Sequence, residues 1–169
     1  DWPYGFSKYI MSKYTSSSNN IYNLRIFGLF GQYDDWRYRV ISNLCCKAVL
    51  DLPLTIKRNV LFDFVYINDL CKVVKWFIDN NPKHKIYNVC NGKTYQYKEL
   101  AEKVLKVSGK KLDINVEEED LSQECGGSNS LLLSEIDNFQ FGSIDSSIEK
   151  MYNWYNSNKH IIKREKFEY

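Results

Sequence analysis

The sequence predicts an α/β fold in which a parallel sheet is built from crossover units. Short apolar runs alternate with amphipathic segments of helical length almost throughout. With 44% hydrophobic and 26% charged residues, the composition is that of an ordinary globular protein, so disorder is not expected. The 169 residues are also enough for a sizeable buried core.

The first third of the chain predicts a helix, a strand and a second helix. A helix is expected over residues 4–16, because Pro3 suits its first turn and a run of serine and asparagine ends it. The run "IYNLRIFGLFG" then predicts a buried strand that leads into an exposed, glycine-containing loop. Asp34 and Asp35 offer caps for a helix over about residues 36–50.

The middle of the chain predicts further strands around one helix. The stretch "LPLTIKRNVLFDFVYI" reads as two short strands on either side of Arg58 and Asn59. A helix with an apolar stripe follows from Asn68, and Asp69 is expected to cap it. The segment "HKIYNVCNG" then predicts another strand, closed by a turn.

The last third predicts two helices separated by a strand and a loop. Residues 97–108 form an amphipathic pattern that ends at Gly109, and "KLDINVEEE" follows as a strand. Residues 120–130 have no periodicity and are expected to form a mobile loop. Ser143 begins the final helix. The buried side of that helix is expected to carry Ile148, Met151 and Tyr155.

Composition argues against several classes of partner. The net charge of +2 gives no basic face for nucleic acid or a membrane surface, and RNA binding through exposed tyrosines and lysines is disfavoured for the same reason. Five cysteines without a C-x-x-C motif indicate reduced thiols, and no apolar run is long enough to span a bilayer. His84 and His160 lack neighbours at ligand spacing, so no metal site is expected. A soluble, cytoplasmic protein is the prediction.

Tyr4 and Lys8 form a Tyr-x-x-x-Lys motif in the first helix. Residues four apart share one face of a helix, so the phenol and the ammonium can lie within a few ångströms of each other. A nearby cation favours the phenolate form, which suits a tyrosine to act as general acid or base. Such a pair can move a proton on or off a hydroxyl while hydride leaves the same carbon. The spacing alone is not specific, because it occurs three times in the chain.

Tyr4 and Lys8 belong to the first of four sequence blocks that follow one another along the chain. The blocks are "PYGFSKYIMSKY", "NLRIFGLFGQY", "FDFVYINDLCKVV" and "IYNVCNGKTYQYKELAEKV". In this order and at these separations they resemble the C-terminal part of extended short-chain dehydrogenase/reductases, the NAD-dependent nucleotide-sugar epimerase/dehydratase family. The resemblance covers nearly the whole chain up to its last helix. Four blocks in order are far more specific than any one of them.

The resemblance implies an active site and a cofactor. Tyr4 matches the catalytic tyrosine of the family, and Lys8 matches the lysine that holds the nicotinamide ribose of NAD or NADP. Phe27, Gly28 and Leu29 match the stretch that lies beside the nicotinamide and the sugar. The alternative is that these three residues only pack the end of a strand.

Two positions depart from the pattern of the family. Gly28 stands where many relatives carry an asparagine that contacts the substrate, and Phe62 stands where many carry an arginine for the nucleotide diphosphate. Bidentate phosphate recognition favours arginine, so another cation should supply the charge. The candidates are Arg37, Arg39 and Arg58. Arg39, with Asn43 one turn later, is the preferred candidate, and the alternative for each arginine is a solvated surface charge.

The resemblance also implies how the chain is organised. Relatives carry a glycine-rich dinucleotide loop near their N-terminus, and no G-x-G-x-x-G occurs here. The expected arrangement is the C-terminal half of a Rossmann-type parallel sheet with a smaller α/β substrate-binding lobe. The reactive helix and last Rossmann strands (about 1–35 and 60–90) interleave with that lobe (about 36–59 and 91–169). The N-terminal dinucleotide-binding half is expected to be missing.

The implied function is that of an NAD(P)-dependent epimerase, dehydratase or 4-keto-reductase of a nucleotide-activated sugar. The chain alone is expected to be inactive, because its cofactor-binding half is missing. A homodimer through the first helix is expected, with Met11 and Tyr14 near the partner. The alternative is a non-catalytic binding module that kept the fold while its substrate site changed.

Overall fold

The computed structural model describes residues 2–167, and the side chains of residues 120–123 lie outside that description. The helices are α1 (Trp2–Ser16), α2 (Val40–Val49), α3 (Ile67–Asp79), α4 (Tyr97–Ser108), α5 (Ser130–Leu133) and α6 (Ile144–Ser157). The strands are β1 (Asn23–Ile26), β2 (Leu29–Phe30), β3 (Leu54–Asp63), β4 (Val65–Tyr66), β5 (Ile86–Val89), β6 (Thr94–Gln96) and β7 (Ile114–Cys125). Short 3-10 turns follow at Lys159–Ile161 and Arg164–Lys166.

Strand pairing is mainly parallel, which confirms the α/β prediction. β1 pairs with β5, β2 with β4, and β3 with β7, all in parallel. β6 adds to the other edge of β3 in the antiparallel direction. Helices cross between the parallel partners, as parallel connections require.

A first hydrophobic core lies where α2, α4 and α6 pack on one another and on β3. Burial of each large apolar side chain stabilises the fold by about 1.5–3 kcal/mol. The final helix contributes the three residues predicted for its buried side, Ile148, Met151 and Tyr155, each with no exposed surface.

A second core is formed by residues of α3, β4, β5 and α5. Its buried members are Val65, Leu70, Val73, Tyr87, Val89, Leu132 and Ile136. Ile67 packs against both cores. Asp69 ties this region to the chain before α6, because its carboxylate accepts a hydrogen bond of 2.8 Å from the backbone N–H of Gly142.

Several boundaries are confirmed because their signals are local. α4 ends at Gly109, which adopts the left-handed conformation with φ of 66°. α6 begins after Ser143, whose Oγ accepts a hydrogen bond of 3.2 Å from the backbone N–H of Ser146. α1 spans the predicted first helix.

Other boundaries were wrong. β3 is one continuous strand across Arg58 and Asn59, with an irregular register there against β7. α2 begins at Val40, because the segment before it forms turns in which the carboxylates of Asp34 and Asp35 bind neighbouring groups. Asp69 is not the N-cap of α3, since Tyr66 holds that position.

The predicted loop over residues 120–130 is much shorter in the structure. β7 continues to Cys125 and α5 starts at Ser130, which leaves 126–129 as the connection. The run containing β1 is also less buried than expected. Within the described residues β1 pairs only with β5, and Ile26 keeps 44% of its surface exposed.

Two further observations concern membrane-spanning helices and the cysteine side chains. Within residues 2–167 no helix combines the length and the apolar character needed to cross a bilayer. Cys45, Cys46 and Cys90 are buried, and the cysteines of the described chain are free thiols.

Candidate active site

Tyr4 and Lys8 lie together on the exposed face of α1. The Lys8 Nζ is 5.3 Å from the centroid of the Tyr4 ring. Tyr4 keeps 69% of its surface exposed, so its hydroxyl is accessible to a ligand. The structure therefore brings the two residues of the motif into the contact that helical spacing predicts.

α1 is held to the rest of the molecule near its C-terminal end. Thr15 is the buried residue of this helix. Arg25 in β1 donates a hydrogen bond of 3.0 Å from Nη2 to Oγ of Ser12. The first turns of α1, which carry Tyr4 and Lys8, present mainly exposed side chains.

Gly28 lies directly against the end of β3. A Cβ at this position would overlap the backbone oxygen of Asp63, and it would stand 3.1 Å from Cδ1 of Phe62. The structure therefore brings together Gly28 and Phe62, the two positions that depart from the pattern of the relatives. Leu29 follows in β2, paired with Val65 of β4.

Phe27 packs against the loop after β7. A Cβ on Gly127 would lie 2.7 Å from Cζ of the Phe27 ring, so a larger residue there would require the ring to shift. The backbone N–H of Phe27 continues the pairing with β5 through a bond of 3.0 Å to the Val89 oxygen. Phe27 therefore lies at the end of a strand and at the edge of a cleft.

That cleft has a volume of about 410 Å³ and is lined by polar groups. Its lining residues are Asp63, Gly92, Thr94, Glu124, Gly126 and Gly127. Glu124 accepts a hydrogen bond of 2.9 Å from the hydroxyl of Thr94. Because Gly127 contacts Phe27, the cleft lies beside the loop that the family resemblance associates with the cofactor and the sugar.

Asp63 fixes one wall of this cleft. Its buried carboxylate accepts backbone hydrogen bonds from Asn91 at 2.7 Å and from Gly92 at 2.8 Å. Burial raises the pKa of Asp63, and these backbone bonds oppose the rise. Sequence reasoning missed this residue; the Asn-Gly turn after β5 was its only local signal.

A larger pocket of about 1050 Å³ lies beside α2, β3 and the C-terminal segment. Its basic lining residues are Arg37, Lys47, Lys57, Arg58 and Lys166. Glu117 is the acidic side chain among the residues described as lining it. A pocket of this size and charge suits an anionic ligand.

Some of the predicted substrate-binding residues line this pocket, and others lie outside its lining. Asn43 lines it, and its Nδ2 donates a hydrogen bond of 3.1 Å to the backbone oxygen of Trp36. Arg39 lies outside the lining, with its Nε 3.6 Å from the carboxylate of Asp34. Arg37 and Arg58, the other candidates, are lining residues.

The two lining arginines already have carboxylate neighbours. Arg37 pairs with Asp35 at 2.8 Å, and Arg58 pairs with Glu118 at 2.6 Å. Both pairs are substantially exposed, so they are weak and able to exchange for a stronger anion. Over the described part of the chain, His, Cys, Asp and Glu side chains form no group of three that could hold a metal ion.

Comparison with known proteins places the chain in a family. The model of the NAD dependent epimerase/dehydratase family matches residues 1–90. A UDP-sulfoquinovose synthase from Sulfolobus acidocaldarius is 33% identical over 89 residues, which is 50% of this chain and 22% of that protein.

Solved structures agree on the fold. A GDP-L-fucose synthetase from Naegleria fowleri superimposes with a TM-score of 0.72 at 16% identity, covering 85% of this chain and 48% of that one. The UDP-glucose 4-epimerase of Thermus thermophilus in complex with NAD gives 0.68 at 18% identity, covering 86% and 50%. At these identities the likeness shows the fold alone, and this chain spans about half the length of both.

These comparisons confirm the predicted family and, through the name of that family, its dependence on NAD. They assign no role to single residues, so the site residues stay predictions. The match covers the segment that carries Tyr4, Lys8, Gly28 and Phe62. The chain belongs to the NAD dependent epimerase/dehydratase family.

Proposed function

We propose that the full-length protein is an NAD(P)-dependent epimerase, dehydratase or 4-keto-reductase that acts on a nucleotide-activated sugar. The observation that carries this proposal is the contact between Tyr4 and Lys8 on an exposed helix face, in a chain of this family. The similar proteins include enzymes named for UDP-sulfoquinovose, GDP-L-fucose and UDP-glucose.

Tyr4 is proposed as the general acid and base. In its phenolate form Tyr4 takes a proton from a sugar hydroxyl and becomes the neutral phenol, and before that transfer the ammonium group of Lys8 balances the negative charge of the phenolate. Lys8 also suits the ribose hydroxyls of a nicotinamide cofactor, because it has three donors and lies beside the exposed phenol. When bound, that cofactor supplies the acceptor and donor of hydride.

The basic pocket is proposed to hold the nucleotide part of the substrate. β3 runs from this pocket to Phe62, which contacts Gly28 beside the proposed reaction cleft. Phosphate oxygens would meet Arg37, Lys57 and Arg58, which replace the charge that Phe62 lacks. Asn43 would support the same ligand from α2.

We further propose that an N-terminal half supplies the dinucleotide loop. The described chain would then carry the reactive helix and last Rossmann strands over about 1–35 and 60–90, and the substrate lobe over about 36–59 and 91–169. The exposed edge of β1 and the exposed side chains of α1 fit a surface covered in the complete protein. A homodimer through α1 would cover Met11 and Tyr14, which are 60% and 64% exposed.

Substitution of Tyr4 in the reconstituted full-length protein tests the catalytic proposal. Tyr4→Phe removes the hydroxyl and should lower kcat by about a hundredfold or more on the correct nucleotide sugar. Tyr9→Phe is the matched control, because Tyr9 is exposed on the same helix with the Lys13 Nζ 5.5 Å from its ring. Equal kcat values for wild type and Tyr4→Phe would refute the role of Tyr4.

The chain alone should neither bind NAD tightly nor turn over, because its sequence holds no glycine-rich loop for the pyrophosphate. Calorimetric titration of the 169-residue chain with NAD measures this directly. A micromolar or tighter dissociation constant would contradict the proposed division of the cofactor site.

A non-catalytic binding module is the second candidate. The packing of Gly28 on Asp63 leaves no room for the asparagine of many relatives, and Phe62 offers no charge to a phosphate. Both features are compatible with a site that binds without reacting. A reconstituted protein that binds nucleotide sugars, with no turnover of any of them, would favour this candidate over the enzyme.

A further inference from the structure

The C-terminal segment supplies part of the large basic pocket. Lys166 and Phe167 line it together with residues of α2 and β3 that lie far earlier in the chain. The segment is anchored just before this point, because Ile162 is buried in the first core. The 3-10 turn Arg164–Lys166 then leads to Phe167, whose N–H bonds the Arg164 oxygen at 3.0 Å.

The ring of Phe167 is held by two neighbours. It packs on Trp36 with a centroid distance of 4.9 Å and an interplanar angle of 38°. The Lys47 Nζ lies 5.7 Å from the same ring. Phe167 remains only half-buried, so part of the ring borders the space of the pocket.

The basic side chains that line this pocket differ in whether a described salt bridge includes them. Arg37 and Arg58 have carboxylate partners. None of the salt bridges between side chains that the structure describes includes Lys57 or Lys166. The exposed part of an aromatic ring and ammonium groups outside the described salt bridges suit a nucleotide, whose base can stack on the ring while its phosphates meet the cations.

We propose that Lys166 and Phe167 form a wall of the nucleotide pocket, where Phe167 stacks on the base of a nucleoside diphosphate and Lys166 contacts its phosphates. This inference rests on the proposed function, which assigns the nucleotide to this pocket. It adds the residues that recognise the base and the phosphates of that nucleotide. The wall belongs to the 169-residue chain itself, so ligand binding can be measured without turnover.

The test is a calorimetric titration of the whole chain with UDP, GDP and inorganic pyrophosphate. Phe167→Leu keeps apolar bulk but removes the ring, so the dissociation constants of UDP and GDP should rise about tenfold. That of pyrophosphate should not change, because it has no base. Phe167→Tyr keeps the ring and should bind all three ligands like wild type.

Phe141→Leu is the matched control for loss of an aromatic contact. Phe141 is also half-buried, packs against Phe139 at 5.0 Å, and is not a lining residue of this pocket. Its substitution should leave all three dissociation constants unchanged. Lys166→Gln should weaken all three ligands and reduce their salt dependence, whereas Lys163→Gln, in the same segment but outside the lining, should not.

The outcomes distinguish the assignment of the nucleotide to this pocket from the stacking role of Phe167. Wild-type chain that binds none of the three ligands would refute the pocket assignment in the proposed function, and this inference with it. Wild-type binding together with unchanged UDP and GDP affinity in Phe167→Leu would overturn only the role of Phe167. Equal weakening of pyrophosphate and nucleotides in Phe167→Leu would show a merely structural contact and would overturn the stacking role.

Discussion

Gly28 is packed so closely against the end of β3 that a side chain at this position would collide with its neighbours. The backbone at this position touches the end of β3, and a side chain would collide with a main-chain oxygen that cannot move aside easily. An asparagine side chain at this position would meet the same oxygen. Any substrate contact at this point must come from the backbone or from adjacent residues such as Phe27.

Gly28→Ala should lower the free energy of unfolding by about 1–3 kcal/mol, because the added methyl overlaps the Asp63 oxygen and crowds Phe62 and Phe64. Gly5→Ala is the control, since nothing lies within 4 Å of a Cβ there. Urea denaturation followed by circular dichroism compares the two variants. Equal unfolding midpoints would contradict the close approach at Gly28.

Asp63 should give the stability of the protein a measurable pH dependence. Burial raises its pKa in the folded state above the ordinary 3.8, so the unfolded chain releases this proton more readily. The stabilising contribution of Asp63 is therefore full below pH 3.8, falls as pH rises through the folded pKa, and stays constant above it.

Asp63→Asn tests this dependence, because it removes the titration. It should also cost about 1–3 kcal/mol, since an amide turns an N–H towards a backbone donor. The difference in unfolding free energy between wild type and variant should shrink as pH rises from 3.8. A difference that grows with pH would contradict the direction of the shift; exposed Asp137→Asn controls for loss of charge.

At the scale of elements, α6 depends on its first turn. The Ser143 hydroxyl satisfies a backbone N–H that the helix itself leaves unpaired. Ser143→Ala should therefore lower the free energy of unfolding by about 1 kcal/mol in a urea titration. Ser146→Ala, exposed and one turn later, should change it little, so equal losses in both variants would argue against the cap.

Helices with local signals were predictable from the sequence, and features formed by distant residues were not. α4 and α6 carry their own cap and apolar spacing, and Tyr4 and Lys8 meet through spacing on one helix. β3 crosses Arg58 and Asn59 unbroken, and Asn59 bonds Gln96 and the N–H of Lys98 in neighbouring elements. Periodicity in the sequence cannot show such partners.

Part of the candidate site could likewise be predicted from the sequence, and part of it could not. The pair of Tyr4 and Lys8 could be identified from one helix, but the basic pocket combines α2, β3 and the C-terminal segment. Arg39 was preferred because Asn43 follows one turn later, yet its side chain lies beside Asp34 and outside the pocket lining. The direction of a side chain at a turn depends on tertiary contacts that spacing does not encode.

At the scale of the whole molecule, α1 differs from the other long helices. α2 and α6 contribute many side chains to the first core, whereas α1 buries only Thr15. Hydrogen bonds of a helix with so little burial should open locally without unfolding of the cores. In the isolated chain the amides of α1 should exchange with deuterium at least about tenfold faster than those of α2.

Hydrogen exchange with mass spectrometry on peptides from α1 and α2 measures this difference. The comparison should be made at several protein concentrations. Exchange from α1 as slow as from α2 at low concentration would contradict the weak attachment seen here. Protection that develops only at high concentration would instead support the proposed dimer through α1.

The first core draws all of its buried members from residue 30 onwards, and neither α1 nor β1 contributes one. A recombination breakpoint between α1 and β1 would leave that core in one piece, and it would also keep the packing of Gly28 on Asp63 and the pairing of β2 with β4 within one parent. Such a junction would exchange the helix that carries Tyr4 and Lys8 without changing any buried member of the first core.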